Sequence, residues 1–143
     1  MSKGLEKIII LLLRWFLGVV FIYAAIGKII DPNTFAEQVD NYRLLPWILV
    51  IAVAVILPWV ELLTALLLLI GRWLAAASLW VIAMNLVFIM AIFSAMVRGL
   101  NIDCGCFSLH SQGSQVGLHR VLEDVVFLLA AGLIFYKAKA DSQ

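Results

Sequence analysis

The chain reads as four long apolar stretches separated by short polar ones. The apolar stretches run from about Ile8 to Ile30, Trp47 to Ile70, Leu74 to Val97 and Val116 to Tyr136. Each reaches the roughly 20 residues that cross a hydrocarbon core of about 30 Å. A segment in lipid must satisfy its backbone hydrogen bonds internally, so each stretch is expected to be a helix. The pattern predicts an all-α membrane protein, a single domain over residues 1–143 folded as a four-transmembrane-helix bundle. Lys3 and Lys7 ahead of the first stretch resemble the start of a signal peptide. The apolar core that follows is longer than the roughly 7–15 residues of a signal sequence, so it is read as a retained signal-anchor helix.

The breaks differ in character. Asp31-Pro32-Asn33 is a stop and turn signal. After it, Phe35, Val39 and Tyr42 recur at helical spacing, which predicts a short interfacial helix in the first loop. Arg43 and Trp47 are expected at the interface. Gly71-Arg72-Trp73 allows only a tight turn, so the second and third spans should form an antiparallel hairpin. Pro58 should kink the second span. Gly18 and Gly27 on the first span permit close helix approach. The segment 98–117, rich in glycine and serine, is the longest polar stretch and reads as a loop. The last stretch opens with His119, Arg120, Glu123 and Asp124, and Val125–Tyr136 alone is too short to span. Its acidic first turns must therefore lie at membrane depth or in the interface.

Composition sharpens the class. The chain is 65% hydrophobic and 13% charged, whereas a soluble domain is about half apolar and about a quarter charged. Membrane lipid is therefore the expected surrounding. A formal charge of +1 gives no electrostatic case for nucleic acid. With four spans, Lys3, Lys7, Arg72, Lys137 and Lys139 share one side, against Lys28, Arg43, Arg98 and Arg120 on the other. The positive-inside rule then favours cytoplasmic termini and an extracellular or periplasmic loop 98–117. That compartment also lets disulfides persist.

Candidate chemistry concentrates in that loop, which holds the chain's two cysteines as Cys104-Gly105-Cys106. A structural disulfide there would stabilise little, because the loop it closes is so small. Gly105 permits the turn that a bridge between residues i and i+2 requires. A strained bridge is easily reduced, which suits a redox-active pair. The alternatives are two inert thiols, or a metal site from Cys104, Cys106, His110 and His119, whose spacing matches no standard zinc pattern. A thiol–disulfide oxidoreductase follows only from the redox reading. Lys28 and Asp103 are expected close in depth to Glu123 and Asp124, where the lysine would favour thiolate and the acids oppose it. Phe107, Tyr42, Trp47 and Trp59 offer walls for a pocket beside the dyad. Each histidine offers a proton shuttle.

A second polar group lies deeper. Glu61 is about 16 Å from Arg72 along its helix, Arg14 about 10 Å from Lys7, and Asn85 about 15 Å beyond Ala75. That arithmetic places all three at one level, with Glu61 facing inward on a partner. A structural Arg14–Glu61 ion pair is the favoured reading. A proton site, a quinone-headgroup site or a small-solute site in a non-catalytic subunit or transporter are the functional ones.

The run Arg14-Trp15-Phe16-Leu17-Gly18 through Gly27-Lys28-Ile29-Ile30-Asp31-Pro32, then Phe35-Ala36, Tyr42-Arg43-Leu44-Leu45-Pro46, Leu57-Pro58-Trp59-Val60-Glu61-Leu62 and Asp103-Cys104-Gly105-Cys106-Phe107 resembles the MauE branch of the DoxX-like membrane proteins. The resemblance spreads over almost the whole chain. It implies a four-helix protein of the bacterial inner membrane and thiol–disulfide traffic at the periplasmic face. It also implies a thioredoxin-like partner, in a setting such as methylamine dehydrogenase maturation. DoxX proper is tied to quinone-linked sulfur oxidation, which makes quinone the cofactor to consider. Together these readings give a membrane thiol–disulfide redox protein acting through Cys104 and Cys106.

Overall fold

A computed structural model describes residues 3–100 and 118–142. The described residues form five helices: α1 (Lys3–Ile30), α2 (Pro32–Asn41), α3 (Trp47–Ile70), α4 (Leu74–Val97) and α5 (Leu118–Ala140). Three of them, α1, α3 and α4, are long and apolar enough to cross a membrane, with mean hydropathies of 2.4, 2.5 and 2.3. The protein is an all-α membrane protein. α5 has comparable length, but Arg120, Glu123 and Asp124 interrupt its first turns.

The four long helices close into a ring in the order α1, α3, α4, α5, whose backbones approach closely around the perimeter and not across the diagonals. The most extensive pairs are α1 with α3 and α4 with α5. The interior mixes small residues, among them Ala25, Ala65, Ala77, Ala95 and Ala131, with a few large ones such as Leu17, Leu68, Ile92 and Ile134. Large side chains such as Leu12, Val87, Phe93 and Leu129 point outward. Lipid tails supply no hydrophobic drive between helices, so close backbone approach at small residues takes its place. Gly18 shows this directly: a Cβ there would stand 2.6 Å from Leu69 Cδ2.

The breaks follow their local chemistry. Asp31 caps α2, its carboxylate accepting from the Thr34 backbone N–H at 3.1 Å and the Thr34 hydroxyl at 2.7 Å. Pro32 fills the first turn, where its missing N–H costs nothing. α2 is more than interfacial: Phe35 and Ala36 are buried against Val50 and Ala54 of α3. α3 runs unbroken through Pro58 and stops at Gly71, whose φ of 84° suits glycine. The turn to α4 is as short as expected, yet α3 and α4 meet less than the other long neighbours in chain order. The start of α1 and the end of α5 lie together, with Lys137 Nζ 3.3 Å from Glu6 Oε2.

Candidate functional site

Asp103, Cys104, Cys106, Phe107 and His110 lie outside the described residues, as does the side chain of His119. What the structure gives is the frame from which that segment leaves and to which it returns. Leu100, after α4, and Val121, in the first turn of α5, pack on one cluster with Tyr42, Ile92 and Ala95. The Arg98 guanidinium donates to the Tyr42 carbonyl at 2.9 Å, tying the end of α2 to the end of α4. Tyr42 is buried, and burial first, then the nearby Asp124 carboxylate, push its phenol up to about 12.

Beneath that frame lies a buried polar layer. Residues Leu17, Gly18, Phe21, Ala24, Ala25 and Lys28 make one inward stripe on α1, spaced three and four apart. Val50, Ala54, Pro58, Glu61, Ala65 and Leu68 make the facing stripe on α3. Where the stripes meet, Lys28 Nζ donates to both carboxylate oxygens of Glu61, at 2.7 and 2.8 Å. Lys28 is 3% exposed and Glu61 2%. The ammonium also sits 5.0 Å from the Phe35 ring centroid and 5.7 Å from that of Phe88, within cation–π range. Asn85, on α4, donates its amide to the Val81 carbonyl at 3.0 Å. Lys28, Glu61, Asn85 and Asp124 all line one small void of about 20 Å³, together with Phe21, Ala24, Phe88 and Phe127. Asp124 is buried, and its Oδ2 has no hydrogen-bond partner among the described residues. Glu123 turns away to Arg120, at 2.9 Å.

This corrects the level assigned to Arg14. The structure does not pair Arg14 with Glu61. Its Nε donates to the Leu68 carbonyl at 3.0 Å and its Nη2 lies 3.4 Å from the Leu69 carbonyl. Arg14 thus caps the carboxyl end of α3, where orphan carbonyls and the helix dipole attract a cation. The reason is the overhang of α1. It is 28 residues long against 24 for α3 and α4, and Arg14 sits level with the α3–α4 turn. Depth counted from Lys7 therefore misplaces it. Lys28 lies level with Asp124, as expected of it, and its charge is engaged by Glu61 inside the bundle. Asn85 does share the layer of Glu61. Arg98 and the void beside Asp124 carry no sequence signal of their own, although Lys28 falls on the same helical stripe as Leu17, Phe21 and Ala24.

Next to this layer, α2, α3 and α4 line an open-sided apolar cavity of about 530 Å³. Phe35 and Phe88 separate it from the Lys28 ammonium, and Tyr42, Leu57, Trp80 and Met84 complete its walls. Tyr42 lines this cavity, whereas Trp47 and Trp59 point outward and are exposed.

Comparison with known proteins is consistent over most of the chain. The family model described as methylamine utilisation protein MauE matches residues 6–137. A methylamine utilization protein MauE from Methylophilus methylotrophus is 36% identical over 124 residues, covering 86% of this chain and 64% of that protein. Its namesake from Paracoccus denitrificans is 35% identical over 104 residues, covering 72% and 56%. That from Paracoccus versutus is 42% identical over 103 residues, covering 71% and 55%. The chain therefore spans between 55% and 64% of the length of these relatives. No solved structure matches it.

Proposed function

The chain belongs to the MauE family, and from that premise we propose that it is a membrane thiol–disulfide redox protein whose Cys104 and Cys106 cycle between dithiol and disulfide. The observation that carries this is the placement of the chain's two cysteines, one residue apart, on the connection between α4 and α5. A partner thiolate attacks the Cys104–Cys106 disulfide to give a mixed disulfide, and a second thiol of the partner resolves it, so the partner leaves oxidised and this chain is left as the dithiol. Each oxidation of the dithiol releases two electrons and two protons. The chain has no further cysteine to carry electrons onward, so they pass to a membrane quinone or a second redox protein. The DoxX-like kinship that the sequence resembles favours quinone, and the 530 Å³ apolar cavity beside Lys28 and Glu61 is of a size and character for part of an isoprenoid tail.

In this reading α5 is the fourth span, closing the ring with its acidic turns turned inward. The basic residues at the end of the bundle holding Glu6 and Lys137 make the termini cytoplasmic. The cysteine segment then faces the periplasm of a bacterial inner membrane. The partner is a thioredoxin-like protein, and the names of the relatives make methylamine dehydrogenase maturation the proposed setting.

The test is Cys104→Ser and Cys106→Ser in the full-length protein in its native membrane. One of the two should trap a covalent, reductant-sensitive adduct with a periplasmic thioredoxin-like protein, and both should abolish maturation. If both variants mature the dehydrogenase normally and trap nothing, the redox reading fails. The Lys28–Glu61 layer then becomes the lead, as a small-solute or structural site. A metal role of Cys104, Cys106, His110 and His119 would instead appear as stoichiometric zinc or copper lost in the same variants.

A further inference from the structure

Among the described residues, the buried layer holds one carboxylate more than its cations neutralise. Lys28 is engaged by both oxygens of Glu61, at 2.7 and 2.8 Å. Arg120 is engaged by Glu123, at 2.9 Å. Asp124 is 5% exposed, and its Oδ2 has no hydrogen-bond partner among the described residues. The groups that face this region are Lys28 from α1, Tyr42 after α2, Glu61 from α3, Asn85 from α4, and Arg120 and Glu123 from α5 itself. Neither cation among them is unengaged. An ionised Asp124 would stand in a low-dielectric interior without compensation, which is the costly arrangement for an acid inside a helix bundle.

The void that Asp124 shares with Lys28, Glu61 and Asn85 measures about 20 Å³. A single water needs about 10–15 Å³ of such space and two to four polar partners. The site offers both. The geometry points to a proton-transfer site: Asp124 carries a proton and passes it through one buried water to Glu61. In the forward step the proton leaves Asp124 Oδ2 for the water, and the water gives one of its own to a Glu61 carboxylate oxygen. The ionised Asp124 this leaves is the unfavourable member, so the proton returns by the same water and the resting state keeps it on Asp124. One proton moves and no electron does, and Lys28 holds Glu61 in place as acceptor. The inference rests on charge and space within the bundle, and stands apart from the thiol chemistry proposed for the loop.

The test is infrared spectroscopy on the full chain in lipid nanodiscs at neutral pH, in H₂O and D₂O. A protonated-carboxyl C=O band is expected that shifts on deuteration. It should move when aspartate alone carries a ¹³C carboxyl label, disappear in Asp124→Asn and remain in Glu123→Gln. Ala24→Val fills the void, and should slow deuteration of the band at least tenfold. Absence of the band, or its insensitivity to the aspartate label, overturns the inference without any variant having to fold. An unchanged deuteration rate in a folded Ala24→Val protein overturns the water bridge.

Discussion

Replacing Lys28 with methionine keeps the length of the side chain and removes its charge, leaving Glu61 in the bundle without its partner. The pair is short at both oxygens, 2.7 and 2.8 Å, and its side chains are 4% and 2% exposed. Bulk solvent therefore screens neither charge appreciably. Removing one member of such a pair costs about 3–5 kcal/mol, because the remaining charge stays buried and uncompensated. At about 1.4 kcal/mol per factor of ten, that is at least a hundredfold in the folded-to-unfolded ratio. Replacing both members with apolar residues of similar volume removes the orphaned charge, and such replacements are often neutral. Lys28→Met with Glu61→Met is accordingly expected to recover most of the loss, giving a coupling energy of about 3 kcal/mol. The assay is reversible unfolding in mixed micelles, followed by circular dichroism and tryptophan fluorescence, for the wild type, both single variants and the double variant. Additivity of the two single costs to within about 0.5 kcal/mol would refute the pairing. So would a strong coupling of Glu61 to Arg14 in place of Lys28.

Arg14→Ala should cost about 1–2 kcal/mol through loss of the cap on α3, and should be additive with Glu61→Met in the same unfolding assay. Gly71→Ala should destabilise by about 1–2 kcal/mol, since its φ of 84° strains any side chain and a Cβ would collide with the Arg14 guanidinium. Asp31→Ala should cost about 1 kcal/mol and loosen α2, read as faster amide exchange over residues 32–41. The Tyr42 phenol is raised from 10.0 to about 12 in the fold. Its neutral form is thus favoured by folding, so its contribution is complete below pH 10 and is lost as pH rises toward 12. That loss should amount to about 2–3 kcal/mol, and Tyr42→Phe should abolish the dependence in alkaline unfolding titrations.

Much of the fold is legible in the residues because apolar length and turn chemistry are local signals. The ends of α3 and α4 fall where Trp47, Gly71, Leu74 and Val97 put them. Asp31-Pro32 reads as a boundary and is one: α1 ends at Ile30 and the Asp31 carboxylate caps α2. Glu61 and Asn85 face inward as an acid and an amide in an apolar helix must. What the residues do not carry is the sliding of one helix along another. Arg14 and Lys28 share the same inward stripe, separated by four turns, and periodicity treats them alike. Only the packing of α1 past the end of α3 decides which of them meets Glu61. The same holds for Asp124, which reads as an acid at a helix start and is found lining one small void with Glu61. The apolar cavity has no sequence signature either, because it arises where α3 and α4 part and α2 covers the gap.

The most direct measurement of the central proposal is the redox state of Cys104 and Cys106 in native membranes, read by mass-tagged maleimide before and after reduction. The account predicts a disulfide in respiring membranes that converts to two free thiols when quinone is depleted and returns when it is restored. Two thiols that stay reduced under every condition, or a disulfide that never opens, would contradict it.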